Sequence, residues 1–269
     1  MDTGTLAVPG ARIYYEVRGT GPAFLLINGG DADAAMYAPL ANLLADRYTV
    51  ITYDPRGNSR SPLDGPQYEQ RIEEHADDAH LLLREVGAGP AHVFGNSYGA
   101  MVGMDLLARH PEQVRALVAH EPMAIEVLPD ADHWHAVFHE VYEIYRRDGV
   151  DPAVRRLAVE VNVDFPPEPS ADLPAPVRDM LIRMRANMET CLAYELRSFV
   201  RFRPDLEALR GAWVIPAVGA DTGKTFAYRV SAALADSLGT ELVEFPGGHV
   251  GWLVRHAEFA TTLHEVLDR

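Results

Sequence analysis

Between His92 and Gly103 the chain reads HVFGNSYGAMVG: an apolar run, the pentapeptide GNSYG, then small residues at helical spacing. A serine flanked at two residues on each side by glycine is the G-x-S-x-G pattern of a nucleophile elbow. The chemistry it suits is acyl transfer. On a sharp strand-to-helix turn the Ser97 Oγ stands above the sheet edge, while Gly95 and Gly99 let strand and helix pass without colliding Cβ atoms. The same turn aims the Tyr98 N–H at the space beside Oγ, where the oxyanion of a tetrahedral intermediate can be stabilised. Such a serine needs a base. His249, in FPGGHVGW, follows the last apolar run in a glycine-lined loop and can take the Ser97 proton there. Two carboxylates lie between them at strand ends and could orient the imidazole. Glu121 comes 24 residues after Ser97, and Asp221 comes 28 residues before His249.

The elements that must position these groups alternate along the chain. Arg12–Gly19 is β-rich with partial alternation and reads as an antiparallel edge strand. Ala23–Gly29, Tyr48–Asp54, Ala91–Asn96, Val114–Glu121, Ala212–Gly219 and Glu241–Gly247 are short, continuous apolar runs, as in a sheet buried on both faces. Helical patterns fall between them. This order predicts an α/β fold with a mostly parallel sheet and helices on both faces. The alternation breaks between the sixth and seventh strands, where a helical stretch rich in methionine and aromatics is interrupted by the Pro-rich joint DFPPEPSADLPAP. The expected organisation is a core of residues 1–122 and 211–269 with a helical cap over 123–210.

Composition narrows the function. Of 269 residues 48% are hydrophobic and 23% charged, enough for a large core. The net charge of −15 disfavours nucleic acid and anionic membranes, which need a concentrated basic face. The one cysteine, Cys191, excludes an intramolecular disulfide, and MDTGTLAVPG lacks a basic segment followed by an apolar run. A cytoplasmic protein acting on a small molecule is expected. A homodimer is compatible with the sequence, which does not fix the oligomeric state.

Six separate stretches, LLINGG, YDPRGNSRS, GNSYG, HPEQVRALVAHEP, IPAVGAD and PGGHVGW, together resemble the α/β-hydrolase superfamily over nearly the whole chain. The resemblance implies the α/β-hydrolase fold, an eight-stranded mostly parallel sheet with a cap after strand six. It favours Asp221, at the usual family position, as the triad acid. Glu121 competes, because some members carry the acid after the sixth strand. Gly29 or Gly30 is the expected second oxyanion donor beside Tyr98. The family usually has His-Gly there, whereas this chain has Asn28, which either braces the loop differently or touches substrate. Arg56 and Asp54 are assigned to loop bracing.

Met123, Trp134, Phe138, Met180, Met184, Met188 and Tyr194 offer a soft apolar lining for a pocket under the cap, and Trp252 is another candidate wall. His135 and His139 share a helix face at a spacing that can hold zinc. No third ligand is evident, so no metal is assigned. The reading is a cofactor-independent serine hydrolase cleaving a carboxylic ester or lactone of a hydrophobic molecule. C–C bond hydrolysis, a lyase or other non-ester chemistry on the same fold is the alternative, and a non-catalytic ligand-binding protein a weaker one.

Overall fold

The computed structural model describes residues 1–161 and 169–268. The apolar runs form one eight-stranded sheet in the order β1-β2-β4-β3-β5-β6-β7-β8. The strands are β1 (Asp2–Val8), β2 (Ala11–Arg18), β3 (Ala23–Ile27), β4 (Thr49–Tyr53), β5 (Ala91–Asn96), β6 (Val114–His120), β7 (Val214–Gly219) and β8 (Val243–Phe245). Only β2 runs against the others. Every residue of β3, β5 and β7 is buried, which is why these segments read as unbroken apolar runs rather than alternating ones.

Helices cover both faces. α2 (Ile72–Glu85), α3 (Tyr98–Arg109) and α9 (Phe226–Leu238) bury their apolar stripes on one side, and α1 (Ala38–Leu44) and α11 (His256–Leu267) on the other. Between β6 and β7 lie α4 (Ala131–Asp148), α5 (Val150–Val161), α6 (Ala175–Thr190), α7 (Leu196–Phe199) and α8 (Leu206–Arg210). A π-helical turn, Cys191–Glu195, joins α6 to α7. The short α10 (Gly251–Val254) follows the last strand. Residues 164–168 of the Pro-rich joint lie outside the described residues. Among the described residues no helix is long and apolar enough to cross a membrane.

One expectation is corrected. The Ala11–Arg18 strand is antiparallel but not at the edge, because β1 pairs along its outer side through seven partners from Asp2↔Val17 to Val8↔Ala11. β1 itself is mostly exposed, with only Val8 buried, so it offers no apolar run to read.

Candidate active site

The site lies at the C-terminal ends of β3, β5, β6 and β7 and in the loop after β8. At the end of β5, Ser97 adopts φ 57°, ψ −120°, a region that non-glycine residues rarely visit. Such a conformation costs about 1–3 kcal/mol and persists only when its surroundings over-determine it. Here the Ser97 N–H donates to the His120 carbonyl at 2.9 Å, and the Ala100 N–H donates to the Ser97 carbonyl at 3.1 Å. The glycines make the turn sterically feasible. A Cβ on Gly95 would lie 2.3 Å from the Gly99 carbonyl oxygen, and one on Gly99 would lie 2.2 Å from that of Ile27. Ser97 thus precedes the first turn of α3, whose leading N–H groups, Tyr98 among them, have no intrahelical acceptor.

The imidazole of His249 is anchored through Nδ1, 2.7 Å from Glu121 Oε2. With the carboxylate as acceptor, Nδ1 carries the proton and Nε2 is the nitrogen left for the cavity. Glu121 follows β6 directly, is fully buried, and holds φ 46°. Its Oε1 accepts from the Gly219 N–H at 2.8 Å and from the Thr222 hydroxyl. Burial by itself would push this carboxyl up. The hydrogen bond and charge of His249, aided by His120 and Thr222, outweigh burial and hold it at about 2, so it is ionised.

Asp221, the carboxylate favoured from the sequence, does not occupy that place. Its N–H bonds the Gly247 carbonyl at 2.9 Å and the Thr222 N–H bonds the Gly219 carbonyl at 3.0 Å. This tight turn sends Thr222 inward to Glu121 and leaves Asp221 60% exposed, paired with Arg255 at 3.4 Å.

Ser97 and His249 both line a cavity of about 280 Å³. Gly29, Gly30 and Tyr98 line it too, and a Cβ on Gly29 would lie 3.2 Å from the Ser97 Cβ. Its wall includes Met123, Met180, Met184, Met188 and Trp252, all candidates from the sequence, together with Met36, Leu157 and Leu181. Four pocket candidates lie outside the cavity wall. Trp134 and Phe138 face away and pack on Phe226 of α9, with ring centroids 4.3 and 5.8 Å apart. Asn28 turns behind the loop and donates to the Tyr53 carbonyl at 2.7 Å. It therefore braces the strand end rather than touching the cavity. Tyr194 is also outside the cavity wall, its carbonyl accepting from the Gln70 N–H at 2.8 Å.

Arg56 and Asp54 are braces. Arg56 grips Asp78 through Nε at 2.7 Å and Nη2 at 2.6 Å. Asp54 accepts from the Ala34 N–H and clamps Arg60 through Nε and Nη2 at 2.7 and 2.8 Å. His135 bonds Glu126 at 2.7 Å on the outer surface. Among the described residues no group of three or more His, Cys, Asp or Glu could hold a metal.

Among the cavity residues that escaped sequence reasoning, one carries a carboxylate. Asp31, directly after the two glycines, lines the cavity. The signal available was its position in INGGD, next to the expected oxyanion donors.

Comparison with known proteins agrees with this architecture. The family described as alpha/beta hydrolase fold matches residues 22–166. The chain is 39% identical to the uncharacterized hydrolase YraK of Bacillus subtilis (strain 168), over 100% of this chain and 97% of that one. A thermophilic esterase from Thermogutta terrifontis superposes with a TM-score of 0.75 at 20% identity, covering 100% of this chain and 98% of that one. The enol-lactonase from Burkholderia xenovorans LB400 superposes with a TM-score of 0.73 at 20% identity, covering 99% and 100%. With the family match spanning more than half the chain and a relative aligned over its whole length, this protein belongs to the α/β-hydrolase family and is a hydrolase of that fold.

Proposed function

We propose that the protein is a serine hydrolase that cleaves a carboxylic ester or lactone of a small hydrophobic molecule through an acyl-enzyme. The reading rests on one observation: a serine held at φ 57° shares a cavity with a histidine whose far nitrogen is bonded to a buried, ionised glutamate. Ser97 Oγ attacks the carbonyl carbon while His249 Nε2 takes the hydroxyl proton. Glu121 keeps the proton on Nδ1 and stabilises the imidazolium that forms. The N–H groups of Tyr98 and of Gly29 or Gly30 donate to the oxyanion. Collapse of the tetrahedral intermediate expels the alkoxide, which receives the proton from His249. The acyl group stays on Ser97. Water, deprotonated by His249, then attacks the acyl carbonyl and frees the acid.

The inserted helices act as the cap of this cavity. Met123, Met180, Met184 and Met188 supply unbranched, polarizable side chains that adapt to an apolar acyl or alcohol group.

The test is fluorophosphonate labelling with peptide mapping, combined with turnover of p-nitrophenyl esters and simple lactones. Label on Ser97, and loss of both label and turnover in a folded Ser97→Ala, are expected. Turnover by Ser97→Ala equal to wild type would overturn the scheme. Ser97 labelling with no ester or lactone turnover would move the chemistry to another bond.

A further inference from the structure

Away from Asn96, Ser97, Tyr98 and His249 the cavity wall is mostly methionine, leucine, valine and tryptophan, yet one carboxylate residue is part of it. Among the described residues Asp31 is the sole Asp or Glu in the lining, which Ser97 and His249 share. Its neighbour Asp33 shows what a structural carboxylate looks like in this loop. Asp33 accepts from the Ala35 N–H, the Ser59 hydroxyl and Arg183 Nε. Among the described residues the Asp31 carboxylate accepts from no other residue, only from its own N–H. Its main chain is nonetheless fixed. The Asp31 carbonyl accepts from Asn187 Nδ2 of α6 at 3.1 Å, and the Ala32 N–H closes onto the Gly29 carbonyl at 3.2 Å. A partly buried carboxylate on a fixed loop, at the wall of the cavity and bonded by no other side chain among the described residues, is free to meet a group that comes with the substrate.

We infer that Asp31 is the specificity-determining residue of this cavity, selecting esters or lactones whose acyl part carries a hydroxyl or a cation near the carbonyl and rejecting those with an anion there. This rests on the hydrolase reading above. The distance argument is covalent. If Gly29 or Gly30 holds the carbonyl oxygen, the next residue's carboxylate stands beside the first carbons of the acyl chain. Opposite charges at such a range in a poorly solvated site attract and like charges repel, each by a factor of about ten or more in selectivity. The groups acting on Asp31 are His249 in the loop after β8, which attracts, and Asp33 in its own loop, which repels and is itself paired with Arg183. On the π-helical turn, Cys191 and Glu195 feel its charge in return. Burial pushes the Asp31 carboxyl up to about 6, against the pull of His249. The selectivity it imposes therefore switches on as pH rises through that value.

The experiment compares the p-nitrophenyl esters of butanoic acid, 3-hydroxybutanoic acid and succinic acid (as the hemiester) from pH 5.5 to 8. The readout is the ratio of kcat/KM values, so that His249 protonation, common to all three, cancels. Wild type should prefer the hydroxy ester to the butanoate, and its discrimination against the hemisuccinate should grow about tenfold between pH 5.5 and 8. In Asp31→Asn that discrimination should shrink by about tenfold at pH 8 and lose its pH dependence, whatever happens to absolute rates. A hemisuccinate-to-butanoate ratio that is flat with pH in wild type, or unchanged in Asp31→Asn, would overturn the inference. If wild type turns over none of the three, the ester reading fails. Asp31 is then judged on the rates at which Ser97 is labelled by a neutral alkyl fluorophosphonate and by its carboxylate-terminated analogue. Equal ratios in wild type and Asp31→Asn would overturn it there as well.

Discussion

Replacing Glu121 by Gln separates the two candidate acids with a magnitude the structure supplies. The carboxyl is held at about 2 rather than its ordinary 4.5 although it is fully buried. That difference corresponds to about 3 kcal/mol in favour of the ionised form, and most of it comes from His249. The same interaction strengthens as the imidazole becomes a cation in the transition state. An amide cannot replace it. Gln has one oxygen to serve both His249 Nδ1–H on one side and the Gly219 N–H with Thr222 on the other. Either orientation leaves a buried donor facing an NH₂ group or turns the imidazole to the wrong tautomer. Turnover number in Glu121→Gln should fall by about 10²–10⁴. Asp221→Asn removes only a solvent-exposed pair with Arg255, worth at most about 1 kcal/mol, and should stay within about threefold of wild type. The assay is single-turnover acylation on the best ester, with melting temperature as a folding control. The reasoning fails if folded Glu121→Gln keeps more than about a tenth of wild-type activity, or if Asp221→Asn is the variant that collapses. The pH dependence carries a sign as well. A depressed carboxyl contributes stability above 4.5 that is lost as pH falls toward 2, so the stability gap between wild type and Glu121→Gln should narrow across that window.

Gly99→Ala would drive a Cβ to 2.2 Å from the Ile27 carbonyl oxygen and 2.6 Å from that of Asn28, both backbone atoms at the end of β3. A loss of about 1–3 kcal/mol in chemical denaturation is expected, with activity falling further than stability alone explains. An unchanged midpoint would show that strand and helix do not pass as closely as described. Glu195→Gln should do the opposite in alkaline solution. Burial, reinforced by the charge of Asp31 and opposed by the Asn58 side-chain bond, raises the Glu195 carboxyl to about 8. The proton it retains stabilises the fold fully below 4.5, and that contribution is lost as pH rises through 8. A neutral amide escapes the loss. The unfolding free energy of Glu195→Gln should therefore gain on wild type between pH 5 and 9, by on the order of 4 kcal/mol at the alkaline end, read as a rising melting-temperature difference. Parallel melting curves would refute the assignment.

What the chain revealed in advance follows from how local each requirement is. GNSYG was readable because the turn forces its composition within five residues: two backbones cross there, and only glycine fits. His249 was readable because it follows the last strand. The continuous apolar strands declared a doubly covered sheet. β1 did not, because an edge strand exposed on most of its length carries no apolar signature. The methionines and aromatics between β6 and β7 were legible only as apolar faces. Periodicity says that a face is covered, not by what. The α4 face with Trp134 and Phe138 meets Phe226 of α9, while the α6 face with Met184 and Met188 meets the cavity. Asp31 was hidden for a related reason: an acidic residue after two glycines is what any turn would carry, and only the enclosing wall makes it unusual.

The acid was undecidable from sequence because β6 and β7 are neighbours and both end near the same imidazole. Hydrogen bonds across the sheet, not residue type, make the choice. The Ser97 N–H is tied to the His120 carbonyl, and the next residue, Glu121, is tied through its own N–H to the Ala217 carbonyl at 2.9 Å. Ser97 and Glu121 are thus held by successive steps of one ladder across β5, β6 and β7. The Gly219 N–H and the Thr222 hydroxyl then return from β7 to hold the Glu121 carboxylate. With that place filled from the neighbouring strand, Asp221 turns outward, 60% exposed and paired with Arg255. Any chain of this fold in which the residue after β6 is Glu, and the loop after β7 offers a hydroxyl inward, should resolve the same ambiguity the same way.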